Sequence, residues 1–187
     1  MEKSKLTKPL RILLATNALV VFAAAMLGPI YALFVSEIGG ELLDASIAVG
    51  IFAIAAAVTT YFAGKYSDKI KENELIVIAG YIVQGVAFLL YTFVDSLFFL
   101  FAVQILIGFS EALYWPVYDA IYSKHGKNKL GKAWGSWEAM NYVTIAAGTL
   151  AGGLIVTYGS FDLLFVIMAV LCFASAIYMY FLPRDVL

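Results

Sequence analysis

Residues that carry redox or metal chemistry are scarce in this sequence. It has one cysteine, Cys172, and one histidine, His125. A single cysteine in an apolar run supplies neither a disulfide framework nor a thiolate metal site. A single histidine in a basic loop does not complete a metal site with distant carboxylates and does not act as the base for a buried serine. We therefore expect no metal, no cofactor and no enzymatic activity.

Charged residues are also few. They make up 13% of the chain, against about 25% in a typical soluble domain. Hydrophobic residues make up 63%, and the mean hydropathy is +0.91. This composition is typical of a membrane protein. Because membrane spans and their loops use nearly all of the sequence, we expect a single domain over residues 1–187.

Six apolar runs are long enough to cross a bilayer as helices, which takes about 20 residues. The first run follows a basic segment, as in a signal peptide, but it exceeds the usual apolar core of about 7–15 residues. We therefore expect it to remain as a span. The sequence predicts an all-α membrane protein, a six-transmembrane-helix bundle with spans at residues 12–35, 43–63, 75–94, 97–122, 133–157 and 161–182.

The basic residues predict how the bundle lies in the membrane. All twelve lysines and arginines fall in the two terminal segments and in the loops after spans two and four. The other loops carry acids only, among them Glu37, Glu41 and Asp95. Basic loops favour the cytoplasmic side. Both termini are therefore predicted to be cytoplasmic, in a multi-pass protein of the cell membrane.

Span four combines an apolar run with polar side chains. Glu111 lies near its midpoint, where a charge costs about 2.5–3.5 kcal/mol on insertion scales and indicates a functional site. Helical spacing puts it on a polar and aromatic face formed by Gln104, Gly108, Glu111, Trp115, Tyr118 and Tyr122. We predict that this face lines a path or pocket and that Glu111 is a proton-coupling residue. The alternative is a structural acid, hydrogen-bonded to a neighbouring helix.

Polar and aromatic residues of several spans are candidate cavity or substrate contacts. Together with those of the span-four face, the full set is Asn17, Tyr31, Gln104, Tyr114, Trp115, Tyr118 and Asn141. The rings are suited to stack on a sugar ring or on an aromatic or cationic substrate. Alternatively, the rings pack the membrane core and the amides make interhelical hydrogen bonds, worth about 0.6 kcal/mol each. The residues alone do not identify the substrate.

The loop after span two resembles a signature of the major facilitator superfamily. That signature has a glycine, three residues, an aspartate and a basic residue, followed by a second glycine and more basic residues. Gly64, Asp68 and Lys69 match it, whereas the second glycine is missing and Glu72 stands among the basic positions. On its own, the loop also fits an ordinary solvated charged segment.

Stretches of spans four and five are also similar to the same family, and each departs from the family's pattern at one position. Gln104 occupies the place where many members carry an arginine, and Thr149 stands in the glycine-rich run of span five where the family's antiporter motif has a proline. Because of these departures, the resemblance does not imply an arginine-dependent mechanism, and it gives only weak support for antiport. Asp119 and Glu138 fall in the cytoplasmic third of their spans. We expect them either in a gating network with the loop lysines or in structural roles.

The resemblance implies a function and an assembly. Members have twelve spans in two parallel six-helix halves, and this chain has the length of one half. It is therefore expected to form a homodimer in the lipid bilayer and to move a small-molecule substrate by alternating access, as a proton-coupled secondary transporter. Spans one and four would line the cavity, two and five would join the halves, and three and six would face lipid. One half of a heterodimer and a non-transporting accessory protein are the alternatives.

Overall fold

Six long apolar helices form the structure, a computed structural model that describes residues 6–67, 72–127 and 129–182. The helices are α1 (Lys8–Leu27, a 3-10 turn at Gly28–Ile30, then Tyr31–Glu37), α2 (Leu42–Ser67), α3 (Asn73–Leu90, then a 3-10 turn at Tyr91–Phe93), α4 (Leu97–Gly126), α5 (Leu130–Tyr158) and α6 (Phe161–Tyr180). No strand occurs in these residue ranges. The prediction of an all-α bundle with six membrane-spanning helices is confirmed.

The helix ends differ from the predicted spans by a few residues, mostly because helical turns continue beyond the apolar run. α4, for example, continues past Tyr122 to Gly126. α1 changes to a 3-10 turn where Pro29, which has no backbone N–H, interrupts the helical hydrogen bonds. Asp68 and Lys69 of the loop motif lie outside the described residues, whereas Gly64 lies within α2.

The helices pack as two related sets of three. α4 packs along α2 and α3, α1 packs along α5 and α6, and α3 packs along α6. Exchanging the first three helices with the last three leaves this set of neighbours unchanged, as expected for the nested three-helix repeats of a six-helix transporter half. α1 and α4 make few direct contacts with each other. A gap therefore lies between the two helices that were predicted to line the cavity.

Glycines allow two of these helix pairs to approach closely. A Cβ atom at Gly152 of α5 would collide with the backbone of Met26 in α1, and one at Gly148 would lie 2.7 Å from the Phe22 carbonyl oxygen. In α4, Gly108 lies against the backbone of α2 in the same way. The buried glycines of span five therefore serve packing within one chain.

α2 and α5 are the most exposed helices. Only 11% and 17% of the residues in their apolar windows are buried, compared with 39% to 50% in the other four spans. α3 and α6 each bury one face, with Tyr81 and Phe165 inside, and expose the other, with Val86 and Val170 outside. α3 and α6, the helices predicted to face lipid, are thus exposed on one face only.

Candidate functional site

Two cavities lie between α1 and α4. The first, of about 460 Å³, is bounded by α1, α4 and α5, and we call it the α5-side cavity. The second, of about 260 Å³, lies mainly between α1, α3 and α4, and we call it the α3-side cavity. Both cavities are bordered by Ala24 and Gly28 of α1 and by Glu111 of α4. Glu111 therefore lies at the junction of the two spaces.

Glu111 has no partner for its carboxylate in the part of the chain that the structure describes. It is half-buried, and neither a hydrogen bond nor an ion pair to it occurs among residues 6–67, 72–127 and 129–182. Structural acids inside membrane bundles are paired with other side chains or with backbone groups. The alternative of an acid hydrogen-bonded to a neighbouring helix thus has no support among these residues.

Polar contacts close the gap on one side of Glu111. Gln104 donates its amide N–H groups to the hydroxyl of Tyr31 at 2.6 Å and to that of Tyr91 at 3.1 Å. These bonds join α4 to α1 and α3 near the end of the bundle that carries Glu37 and Asp95, which we call the acidic end. Gln104 and Tyr31, two of the candidate cavity residues, both border the α3-side cavity.

A second set of contacts closes the gap on the other side of Glu111. The Tyr118 hydroxyl donates to the Leu13 carbonyl at 3.2 Å, and Trp137 Nε1 donates to Asn17 Oδ1 at 3.2 Å. Tyr118 and Asn17 are fully buried, and neither borders either cavity. These two candidate substrate contacts therefore join α1 to α4 and α5 near the end that carries Lys8 and the other described basic residues, which we call the basic end.

Aromatic side chains continue from the cavity toward the basic end. Trp115 borders the α5-side cavity and stacks on Tyr114, with ring centroids 5.6 Å apart and an interplanar angle of 28°. Tyr114 borders the same cavity but is itself almost fully buried against Tyr81. Trp115 also contacts Trp137 edge to face at 5.7 Å. Of the two predicted aromatic contacts that border this cavity, Trp115 is half-buried and Tyr114 is almost fully buried.

α5 supplies the third wall of this cavity. Asn141, a predicted cavity residue, borders it together with Ile145 and Thr149. Sequence reasoning considered Thr149 only as a departure from a glycine motif and missed its place in the cavity wall. The signal was present, because 141, 145 and 149 follow one another at steps of four and therefore share a helix face.

The predicted gating residues are not joined in the described structure. Asp119 is half-buried with one carboxylate oxygen lacking a hydrogen-bond partner, and Glu138 is exposed on α5. Within the described ranges, neither acid makes a hydrogen bond or an ion pair with another residue. Gly64 is half-buried near the end of α2. Because Asp68 and Lys69 lie outside those ranges, the gating network stays a prediction.

Six apolar helices around a gap that holds one unpaired acid define a multi-pass membrane protein with a transporter-like interior. The family profile described as Major Facilitator Superfamily matches residues 13–186, nearly the whole chain. The chain belongs to the major facilitator superfamily, a family of membrane transporters. The resemblance read from the loop and glycine motifs is confirmed.

Curated relatives agree with this assignment at low identity. The chain is 25% identical over 183 residues to the uncharacterized MFS-type transporter MJ1560 of Methanocaldococcus jannaschii, covering 97% of this chain and 47% of that protein. It is 24% identical over 170 residues to the uncharacterized MFS-type transporter YitZ of Bacillus subtilis, covering 84% of this chain and 96% of that protein. The chain thus spans about half of one relative and nearly all of another.

Proposed function

We propose that the protein is a secondary active transporter that moves a small solute by alternating access, that it works as a homodimer, and that Glu111 couples transport to protons. The observation that carries the proposal is the unpaired Glu111 carboxylate at the junction of two cavities between α1 and α4. An ionisable group facing a cavity inside a membrane bundle is a functional group by default. The titratable side chains bordering the same cavities are Tyr31, Tyr91 and Tyr114.

The homodimer is supported by the open side that the candidate site has in a single chain. Residues that border the cavities remain partly exposed in one chain, for example Val49 of α2 and Ile145 of α5. The most exposed helices, α2 and α5, flank this open side. A second copy in the same membrane orientation would cover it, as the second half does in a twelve-span member of the family. Rocking of the two copies would then expose Glu111 to each side of the membrane in turn.

The test is solute flux into proteoliposomes. A panel of labelled solutes comprises a neutral sugar, an organic anion, a zwitterionic amino acid and an organic cation. We expect at least one to move faster than into protein-free vesicles, at a rate that depends on an imposed pH gradient. Glu111→Gln is expected to remove this dependence because an amide does not titrate, while Asp162→Asn, outside both cavities, leaves it unchanged.

Three results would each contradict one part of the proposal. If no solute of the panel moves above the protein-free rate, the accessory-protein alternative is favoured. If pH-dependent flux is the same in Glu111→Gln and in the unsubstituted protein, Glu111 has no coupling role. Co-purification of a different six-span chain would replace the homodimer with a heterodimer.

A further inference from the structure

No described residue that borders the two cavities carries a positive charge. All lysines and arginines of the sequence lie outside residues 12–64, 72–123 and 133–183, and these three ranges include every described residue that borders either cavity. Glu111 is the one acidic residue among the described cavity residues. When ionised, its carboxylate therefore has no countercharge among them. A buried carboxylate either takes up a proton or pairs with a positive charge. In its ionised form, Glu111 is therefore suited to a ligand that supplies the positive charge.

The walls next to Glu111 favour an organic cation over a metal ion. Trp115 follows Glu111 by four residues, which makes the two side chains neighbours on one helix face, and both border the α5-side cavity. Indole faces attract cations within about 6 Å of the ring centroid. Most of the remaining wall is apolar, with Val20, Val21 and Ile145. Hard metal cations require several oxygen ligands, whereas this wall suits a cation with hydrocarbon substituents.

The same walls disfavour sugars and anions. In the α3-side cavity, both N–H groups of Gln104 are already donated to tyrosine hydroxyls, and the side-chain oxygen of Gln84 accepts a hydrogen bond from Ser110, which leaves the Gln84 amide nitrogen without a partner among the described residues. Asn141 and Thr149 are the uncharged polar side chains of the α5-side cavity that remain for a ligand. This is a small set of hydrogen-bonding groups for a polyhydroxylated solute. An anion would meet the Glu111 carboxylate, and no basic group among the described cavity residues offsets the repulsion.

We propose that the substrate is a hydrophobic organic monocation, such as a substituted amine or quaternary ammonium, held by the Glu111 carboxylate and the face of Trp115. The α5-side cavity, at about 460 Å³, falls within the range of small-molecule pockets, about 300–1,000 Å³. This inference rests on the proposed transport function and names the substrate class of the same site. A homodimer would bring two carboxylates and two indoles to the shared space.

Equilibrium binding of radiolabelled tetraphenylphosphonium to the purified full chain in detergent tests the proposal. We expect saturable binding that phenyltrimethylammonium displaces and that glucose and benzoate do not. Glu111→Gln should weaken the affinity at least tenfold, whereas Glu111→Asp keeps it within a few-fold. Trp115→Leu should weaken it about tenfold and Trp115→Phe less, because phenylalanine retains a cation-attracting ring.

Two matched controls separate the site from general effects. Asp162→Asn removes an acid outside the cavities, and Phe109→Leu removes an aromatic ring from α4 outside both cavities. Both should bind the probe like the unsubstituted protein. Size-exclusion chromatography identifies any variant that fails to fold. If Glu111→Gln or Trp115→Leu fails, the binding affinities of the conservative variants Glu111→Asp and Trp115→Phe decide the result.

Different outcomes would overturn the substrate class and the transport function. Equal binding to Glu111→Gln, or displacement by glucose or benzoate at comparable concentration, contradicts the cation site. The cation site is also contradicted if the proteoliposome panel shows flux of another solute class and no flux of the organic cation. In that case the proposed transport function is still supported. Glu111-dependent cation binding without flux of any solute supports the site and contradicts transport.

Discussion

Two tyrosines of α4, four residues apart, have different surroundings. Tyr114 borders the α5-side cavity and supports Trp115 by stacking. Tyr118 is fully buried, stacks on Tyr122 with ring centroids 5.8 Å apart, and donates its hydroxyl to the Leu13 carbonyl. The sequence predicted both as candidate cavity or substrate contacts, Tyr118 from its place on the polar face and Tyr114 from its aromatic ring. The structure places one at the cavity and the other in a contact between α4 and α1.

Removal of the Tyr118 hydroxyl tests whether this residue is a contact between helices or a substrate contact. Tyr118→Phe keeps the ring and removes the hydrogen bond to Leu13, which is worth about 0.6 kcal/mol in a membrane bundle. We expect the melting temperature to fall by about 1–3 °C and the Michaelis constant for a transported solute to stay the same. Tyr142→Phe, at an exposed tyrosine of α5, is the control for both measurements. A several-fold rise in the Michaelis constant with an unchanged melting temperature would instead make Tyr118 a substrate contact.

The α1–α5 pair depends on close backbone approach. Gly152 lies directly against the Met26 backbone, whereas a Cβ atom on the adjacent Gly153 would have no atom within 4 Å. Two neighbouring glycines in one helix thus have different roles. The distinction comes from which face of α5 meets α1, and the glycine content of the run does not show it.

Alanine substitutions at these two glycines give a matched test at the scale of the helix pair. Gly152→Ala should destabilise the protein by about 1–3 kcal/mol, because the new methyl group displaces backbone. Gly153→Ala should be neutral or stabilising, since alanine is favoured over glycine in a helix by about 1 kcal/mol. Thermal unfolding in detergent, followed by circular dichroism, measures both. Equal effects of the two substitutions would contradict the packing of α5 on α1 through Gly152.

At the scale of the whole molecule, the open side of the site and the exposed surfaces of α2 and α5 favour a pair of copies. Ile54 lies twelve residues from the acidic end of α2, and Ala146 lies twelve residues from the acidic end of α5. The two residues are therefore at a similar depth, and both are exposed. In a twofold dimer joined through α2 and α5, Ile54 of one copy comes near Ala146 of the other.

Disulfide cross-linking tests this arrangement in the membrane. In a Cys172→Ala background, Ile54→Cys combined with Ala146→Cys should give a covalent dimer on mild oxidation, because Cα atoms within about 7 Å are needed for the bond. Val86→Cys combined with Val170→Cys, on the exposed faces of α3 and α6, should give none. Native mass spectrometry of the unsubstituted protein should show twice the chain mass of 20.4 kDa. A strict monomer without cross-linked product would contradict the homodimer.

The sequence by itself determined the membrane class, the six spans, the family and the presence of an acid near the middle of span four. Each of these depends on local composition, helical length or a short motif, and therefore requires no knowledge of neighbouring helices. Hydropathy alone predicted the spans to within a few residues. The orientation of the termini also follows from the sequence and stays a prediction.

The tertiary structure decided which side chains meet. It placed Glu111 at the junction of two cavities without a partner in the described chain, joined Gln104 to Tyr31, and placed Asn17 and Tyr118 in contacts between helices. Helical periodicity gives the residues that share one face, but the rotation of each helix against its neighbours depends on packing over the whole bundle. For that reason the sequence predicted a polar face on α4, and only the fold showed which of its residues border a cavity.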